Sequence, residues 1–320
     1  MVAMNPLPRR QASEPIRLVS EGHAVPFSKG LLATTLTATG LAPERAYAVA
    51  LDVEWELSGM PEREISVERL RELVERALEE GAGQMYLARY RKWNRLGRDD
   101  RPVILLIGGA TGVGKSTMAA HLAERLGLLR IIATDSIREV MRAFFSESLM
   151  PSIHYSSYDS DRAVRMPLGS DLNSHVVGFM EQVEMVNVGV QAVLGRSIKE
   201  RTSLVVEGVH MVPGMLPAAK PGGAREDALI LAMVVAVKDA DLHRSHFLVR
   251  ERETSGRRVL ARYLKGFPEI RRIQEFILER AEAEGTLVID NVSIDDAIGT
   301  AVEALYRLID ESEERGSGDE

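Results

Sequence analysis

The sequence has no cysteine among its 320 residues, which excludes disulfides, thiolate metal sites and cysteine nucleophiles at once. No apolar run reaches the ~18 residues of a membrane-spanning helix, and the N-terminus has no apolar signal-peptide core, so a cytoplasmic location is expected. Aromatic residues make up only 5%, and the formal net charge is −7. An acidic balance without a basic, aromatic stripe argues against nucleic acid and anionic membranes as partners, and leaves local basic clusters to serve small anions. At 45% hydrophobic and 27% charged, the composition is that of a globular protein, long enough for one large or two ordinary domains.

Glycine, by contrast, is concentrated where it has chemical meaning. Val103-Ile104-Leu105-Leu106-Ile107 is an apolar, β-branched run, Gly108 to Gly114 is a glycine-rich turn, and Lys115-Ser116-Thr117 opens a helical pattern with Met118, Leu122 and Leu126 on its apolar face. Gly109-Ala110-Thr111-Gly112-Val113-Gly114-Lys115-Ser116 satisfies G-x-x-x-x-G-K-[ST] at each fixed position, with the strand before and the helix after that the motif demands. In such a loop backbone N–H groups turn inward on a phosphate, the helix N-terminus adds partial positive charge, and the lysine reaches the β- and γ-phosphates. Gly109 to Thr117 is therefore the expected nucleoside triphosphate cradle, Lys115 an expected catalytic group, and Ser116 an expected Mg²⁺ ligand.

Residues 1–15 have no periodicity and are expected to form a mobile leader. A hairpin is expected around Glu21-Gly22-His23, followed by helices beginning at Ser28, Pro43 and Ser66, and by a Tyr- and Arg-rich helix from Gln84 to Leu96. Gly97 to Pro102 is a polar hinge, which puts a first domain at 16–97 and a second at 98–310. In the second, Arg130 to Thr134, Thr202 to Val206, Leu229 to Val237 and Thr286 to Ile289 are further buried strands. Ser146 to Asn173 is irregular, and a last helix through Ile309 gives way to an acidic tail, 311–320, expected to be disordered. Strands alternating with helices imply a parallel sheet covered on both faces.

In open sheets of this kind ligands bind beyond the carboxyl ends of the strands. Asp135 ends the second strand, and Arg138 and Arg142 share its helical face, a carboxylate for a hydroxyl proton beside two anion-binding guanidiniums. An N-cap aspartate with a solvated arginine stripe is the plainer alternative. Glu207 follows the third strand, where an acidic residue holds the magnesium shell or the attacking group, and His210 beyond it is either a substrate contact or a hydrogen-bonded loop histidine. His154, Ser156, Ser157 and Tyr158 either line a polar acceptor pocket or belong to a solvated loop. After the fourth strand, Arg244, Arg250, Arg252, Arg257 and Arg258 fit an arginine-bearing lid or a charged helix face.

The hairpin, Val25-Pro26-Phe27-Ser28 and the helices after it resemble the ATP-cone, a small regulatory nucleotide-binding domain. Its hairpin carries a basic pair before the turn, where this chain has Val19-Ser20. Together with the phosphate loop, Thr134 to Arg142, His154 to Tyr158, and Val205 to Gly214, that front end resembles the 2-phosphoglycerate kinase family. The resemblance implies an α/β fold, a P-loop NTPase-type parallel sheet with helices on both faces, preceded by a small, mainly helical ATP-cone-like domain. It implies transfer of the ATP γ-phosphoryl group, with Mg²⁺, to the C3 hydroxyl of 2-phosphoglycerate, giving 2,3-bisphosphoglycerate. Asp135 would then orient or deprotonate the hydroxyl, while Lys115, Mg²⁺ held by Ser116 and Glu207, and a lid arginine such as Arg250 would neutralise charge. Arg138 and Arg142, with His154, Ser156, Ser157, Tyr158 and His210, would hold the small phosphorylated acid. The generic features equally fit a kinase for another small hydroxyl acceptor or an ATP-binding regulatory module, and a homo-oligomer stays open.

Overall fold

The structure, a computed structural model, describes residues 15–317 apart from 21, 97–100, 165–172, 217–223, 226 and 254–259, without the side chains of 224–225, 250–253 and 315–317. The expected leader, up to residue 14, lies outside the described residues. The chain divides into two compact units, Met1–Asn94 and Arg95–Glu320.

The first unit contains β1 (Arg17–Ser20), β2 (His23–Pro26), α1 (Lys29–Thr37), α2 (Pro43–Gly59), β3 (Glu64–Ser66) and α3 (Val67–Gly81), and α4 (Gln84–Leu96) runs out of it. The helix starts follow from local chemistry: the Ser28 hydroxyl accepts from Leu31 N, the Ser66 hydroxyl accepts from Arg69 N at 3.1 Å, and Pro43 occupies the first turn of α2, where its missing N–H costs nothing. The apolar faces meet around Leu36, Leu41, Val53, Leu57, Leu73 and Leu78, all essentially unexposed. Burying such a side chain contributes ~1.5–3 kcal/mol. A third strand, β3, pairs in parallel with β1 and gives the order β2-β1-β3, which the hairpin alone did not lead one to expect.

The second unit runs β4 (Val103–Gly108), α5 (Lys115–Leu126), β5 (Ile131–Ala133), α6 (Thr134–Phe144), 3-10 turns at Pro151–His154 and Ser157–Ala163, α7 (Ser174–Lys199), β6 (Leu204–Glu207), β7 (Ala224–Arg225), β8 (Ala228–Ala236), α8 (Ala240–Glu253), α9 (Leu260–Lys265), α10 (Phe267–Ala283), β9 (Leu287–Asp290) and α11 (Ile294–Ser317). The strands form one sheet in the order β5-β6-β4-β8, with β9 and the short β7 both paired to β8. Only β7 runs antiparallel among the described strands of this sheet. β4 is buried along its whole length, as an apolar run at the centre of a two-faced sheet must be. Ile104 and Leu106 pack with Val186, Val190 and Leu194 of α7, and by strand alternation Leu105 and Ile107 point to the opposite face, where α5 packs against α11.

The expectation of a disordered tail from residue 311 is corrected: α11 continues to Ser317. Glutamate is a good helix former, Ser312 is buried, and Glu313 pairs with Arg95 at 3.3 Å. No helix among the described residues is long and apolar enough to cross a membrane.

Candidate active site

The phosphate loop is shaped by glycines at positive φ, 135° at Gly109, 88° at Gly112 and 91° at Gly114. A Cβ on Gly109 would stand 2.1 Å from Val235 O, so the loop is pressed onto the neighbouring strand. Lys115 donates to Ala110 O at 2.7 Å and is almost wholly enclosed. Burial pushes its pKa down, against the opposing pull of the Glu207 and Asp135 carboxylates. A desolvated ammonium of this kind gains most from an incoming oxyanion.

Helix α8 backs the loop with side chains that the sequence did not single out. His243 Nε2 donates to Thr111 O at 2.9 Å, His246 Nδ1 bonds Gly112 O at 3.0 Å, and the Phe247 ring lies against Gly112. Burial drives the His243 pKa down to about 4, so the ring is neutral. Asn291, just past β9, donates to Val113 O at 2.9 Å. The arginines expected here behave differently. Arg244 pairs with Asp241 at 2.9 Å and stacks over Phe267, the Arg250 and Arg252 side chains lie outside the described residues, and Arg257 and Arg258 lie wholly outside them.

Sheet register levels the remaining groups. Glu207 pairs with Ile107 on one side and Ala133 on the other, which places it between the phosphate loop and the start of α6. Its Oε1 accepts from the Ser116 hydroxyl at 2.9 Å. These hard oxygens fit Mg²⁺, which takes one or two protein groups and otherwise water and phosphate oxygens. A cavity of about 640 Å³ opens here, bounded by the loop residues, Asp135, Ser136, Glu207, His246 and Asn291. Asp135 stands in the first turn of α6, one residue inside it, and is not the N-cap. Burial works to raise its pKa, but the charge of His210, felt only once that ring is protonated near pH 4, together with the Arg138 guanidinium and Lys115, outweighs it and holds the carboxyl below its usual range.

The acceptor-side residues divide. Arg138, only 13% exposed, donates to Asp135 Oδ1 at 3.2 Å and to Ile153 O at 2.9 Å, so its guanidinium ties α6 to the first 3-10 turn. Arg142 pairs with Glu139 at 2.7 Å. His154 Nε2 bonds Phe145 O, Ser156 Oγ accepts from Arg262, and Ser157 and Tyr158 are buried, Tyr158 against Gly266. Among the described residues the cavity wall includes none of Arg138, Arg142, His154, Ser156, Ser157 and Tyr158. The expectation that His210 contacts substrate is corrected: it is fully buried, with Thr134 on Nδ1 and Gln182 on Nε2. Burial lowers its pKa to about 4.

The ATP cone domain model matches residues 19–98. The relatives that bear the name 2-phosphoglycerate kinase include the following three. The protein of Methanopyrus kandleri is 38% identical over 291 residues, covering 90% of this chain and 86% of its own length. That of Methanothermobacter thermautotrophicus is 37% identical over 296 residues, covering 91% and 94%, and that of Thermococcus kodakarensis 38% over 287 residues, covering 90% and 95%. At these identities over about nine-tenths of its length, this chain belongs to the 2-phosphoglycerate kinase family and is an ATP-dependent phosphotransferase.

Proposed function

We propose that the enzyme transfers the γ-phosphoryl group of ATP to the C3 hydroxyl of 2-phosphoglycerate, releasing ADP and 2,3-bisphosphoglycerate. The observation that carries this reading is that the phosphate loop, the Ser116–Glu207 pair and the Asp135 carboxylate open onto one cavity. The names of the relatives supply the acceptor. As the C3 oxygen forms its bond to the γ-phosphorus, the bond from that phosphorus to the β–γ bridging oxygen breaks, and Asp135 takes the hydroxyl proton. Its depressed pKa keeps it ionised, so it takes the proton only as the bond to phosphorus forms and the hydroxyl turns acidic. Lys115 neutralises charge on the transferring group. Ser116 and Glu207 would hold Mg²⁺, which when bound neutralises phosphate charge. This chemistry lies in the second domain, from residue 98 onward, with the ATP cone, 16–97, as a separate unit.

The test is kcat/KM for 2-phosphoglycerate, 3-phosphoglycerate, glycerate and a set of nucleosides, with Mg-ATP in each case. A preference of at least about a hundredfold for 2-phosphoglycerate supports the reading, since binding built on charged groups discriminates at that level. Equal or better turnover of another acceptor overturns it.

A further inference from the structure

A buried polar circuit lies behind the cavity wall, and the chemistry above does not use it. Gln182, fully buried on α7, directs Nε2 at Ser152 O and, at 3.0 Å, at Tyr155 O. Carbonyls only accept, so this amide orientation is fixed and Gln182 Oε1 must face His210 Nε2, 3.1 Å away. The proton therefore sits on Nε2, and Nδ1 accepts from the Thr134 hydroxyl at 2.8 Å. Gly208 makes room for that hydroxyl, because a Cβ there would stand 1.8 Å from Thr134 Oγ1. Thr134 opens the helix that carries Asp135 and Arg138, and Arg138 donates to Ile153 O, Tyr155 O and Asp135. The circuit thus closes on the same 152–155 backbone from two directions.

We propose that Thr134, His210 and Gln182 are positioning residues that hold Asp135 in line for the acceptor hydroxyl, by locking the start of α6 and the Ser152–Tyr155 backbone into one geometry. This rests on Asp135 as the proton acceptor of the proposed reaction. A neutral imidazole with one donor and one acceptor nitrogen is the group that can join a hydroxyl to an amide oxygen, and burial keeps it neutral.

Thr134→Val removes the hydroxyl at nearly constant volume, Thr134→Ser retains it, and Gln182→Leu removes the amide. Steady-state kinetics with Mg-ATP and 2-phosphoglycerate should show kcat reduced at least about tenfold in Thr134→Val and Gln182→Leu, ATP KM within about twofold of wild type, and Thr134→Ser close to wild type. Unchanged kcat in folded Thr134→Val, or Thr134→Ser as impaired as Thr134→Val, overturns the proposal. Should Gln182→Leu not fold, the two Thr134 variants decide. Imidazole ¹⁵N NMR of the wild type gives an answer independent of the acceptor: His210 must show the Nε2–H tautomer, and the other tautomer or an imidazolium at neutral pH overturns the circuit. Wild-type protein that shows that tautomer yet leaves 2-phosphoglycerate untouched sinks the proposed reaction and leaves the circuit standing.

Discussion

Ser116 and Glu207, 91 positions apart, meet through a 2.9 Å hydrogen bond from the serine hydroxyl to the glutamate carboxylate. The contact joins the first turn of α5 to the end of β6 and puts two hard oxygens beside the phosphate loop. A divalent ion shared with nucleotide phosphates needs few protein ligands. Removing Mg²⁺ with a chelator is expected to abolish turnover, and Mg²⁺ or Mn²⁺ to restore it. Glu207→Gln should raise the Mg²⁺ concentration for half-maximal rate by about tenfold or more, a typical loss for weakened ligation. Titration of Mg²⁺ at fixed ATP checks both.

Lys115 is an enclosed ammonium whose pKa burial pushes down. Replacement by Met is expected to lower kcat by about 10²–10³, the range seen when one transition-state donor is lost. The same change removes a desolvated charge, so the melting temperature should hold or rise. Kinetics and thermal unfolding of Lys115→Met separate the two effects. Retained kcat with a lowered melting temperature would mean a structural lysine.

Asp135→Asn keeps shape and loses the proposed proton acceptor. The expected result is a fall in kcat of about 10²–10⁴ with ATP KM changed by less than about threefold, as for loss of general-base catalysis. Arg138→Ala should act on the same step, because its guanidinium holds Asp135 Oδ1 and Ile153 O together. Full activity in Asp135→Asn would remove the base from the mechanism.

His210 and His243 set a pH dependence of stability. Desolvation lowers both to about 4 in the folded chain, while an unfolded histidine titrates near pH ~6.5. Between those values the unfolded state binds more protons, so stability falls as pH falls, by about 1.4 kcal/mol per pH unit for each such group. Below about 4 their contribution stops changing. Urea unfolding at several pH values should show the slope, and His243→Gln should make it shallower. An unchanged slope would contradict the buried, neutral state of His243.

The parts legible in the sequence were those carried by long or chemically dense segments. Val103 to Lys115 announced strand, loop and helix through burial pattern and glycine chemistry together, and Ser28, Pro43 and Ser66 marked helix starts that the structure uses. The strands Glu64–Ser66 and Ala224–Arg225 are too short to carry an alternating pattern. The acidic run after Ile309 looked like tail because composition does not show that Ser312 is buried. His210 was ambiguous for a related reason: a loop histidine shows its chemistry, and only its neighbours show which way it faces. Gln182 and Asn291 were missed because their partner carbonyls come from residues 27 to 178 positions away. The α8 histidines did share one helical face at positions 243 and 246, a signal hidden by the arginines around them.

The destination of the phosphoryl group separates a 2-phosphoglycerate kinase from a kinase of another acceptor. Incubation with Mg-ATP and 2-phosphoglycerate, followed by ³¹P NMR and mass analysis of the product, tests it most directly. The expected result is a single bisphosphoglycerate with phosphate esters on C2 and C3, formed in equal amount to ADP. ADP formed without a bisphosphoglycerate, or a product phosphorylated at the carboxylate, would contradict it.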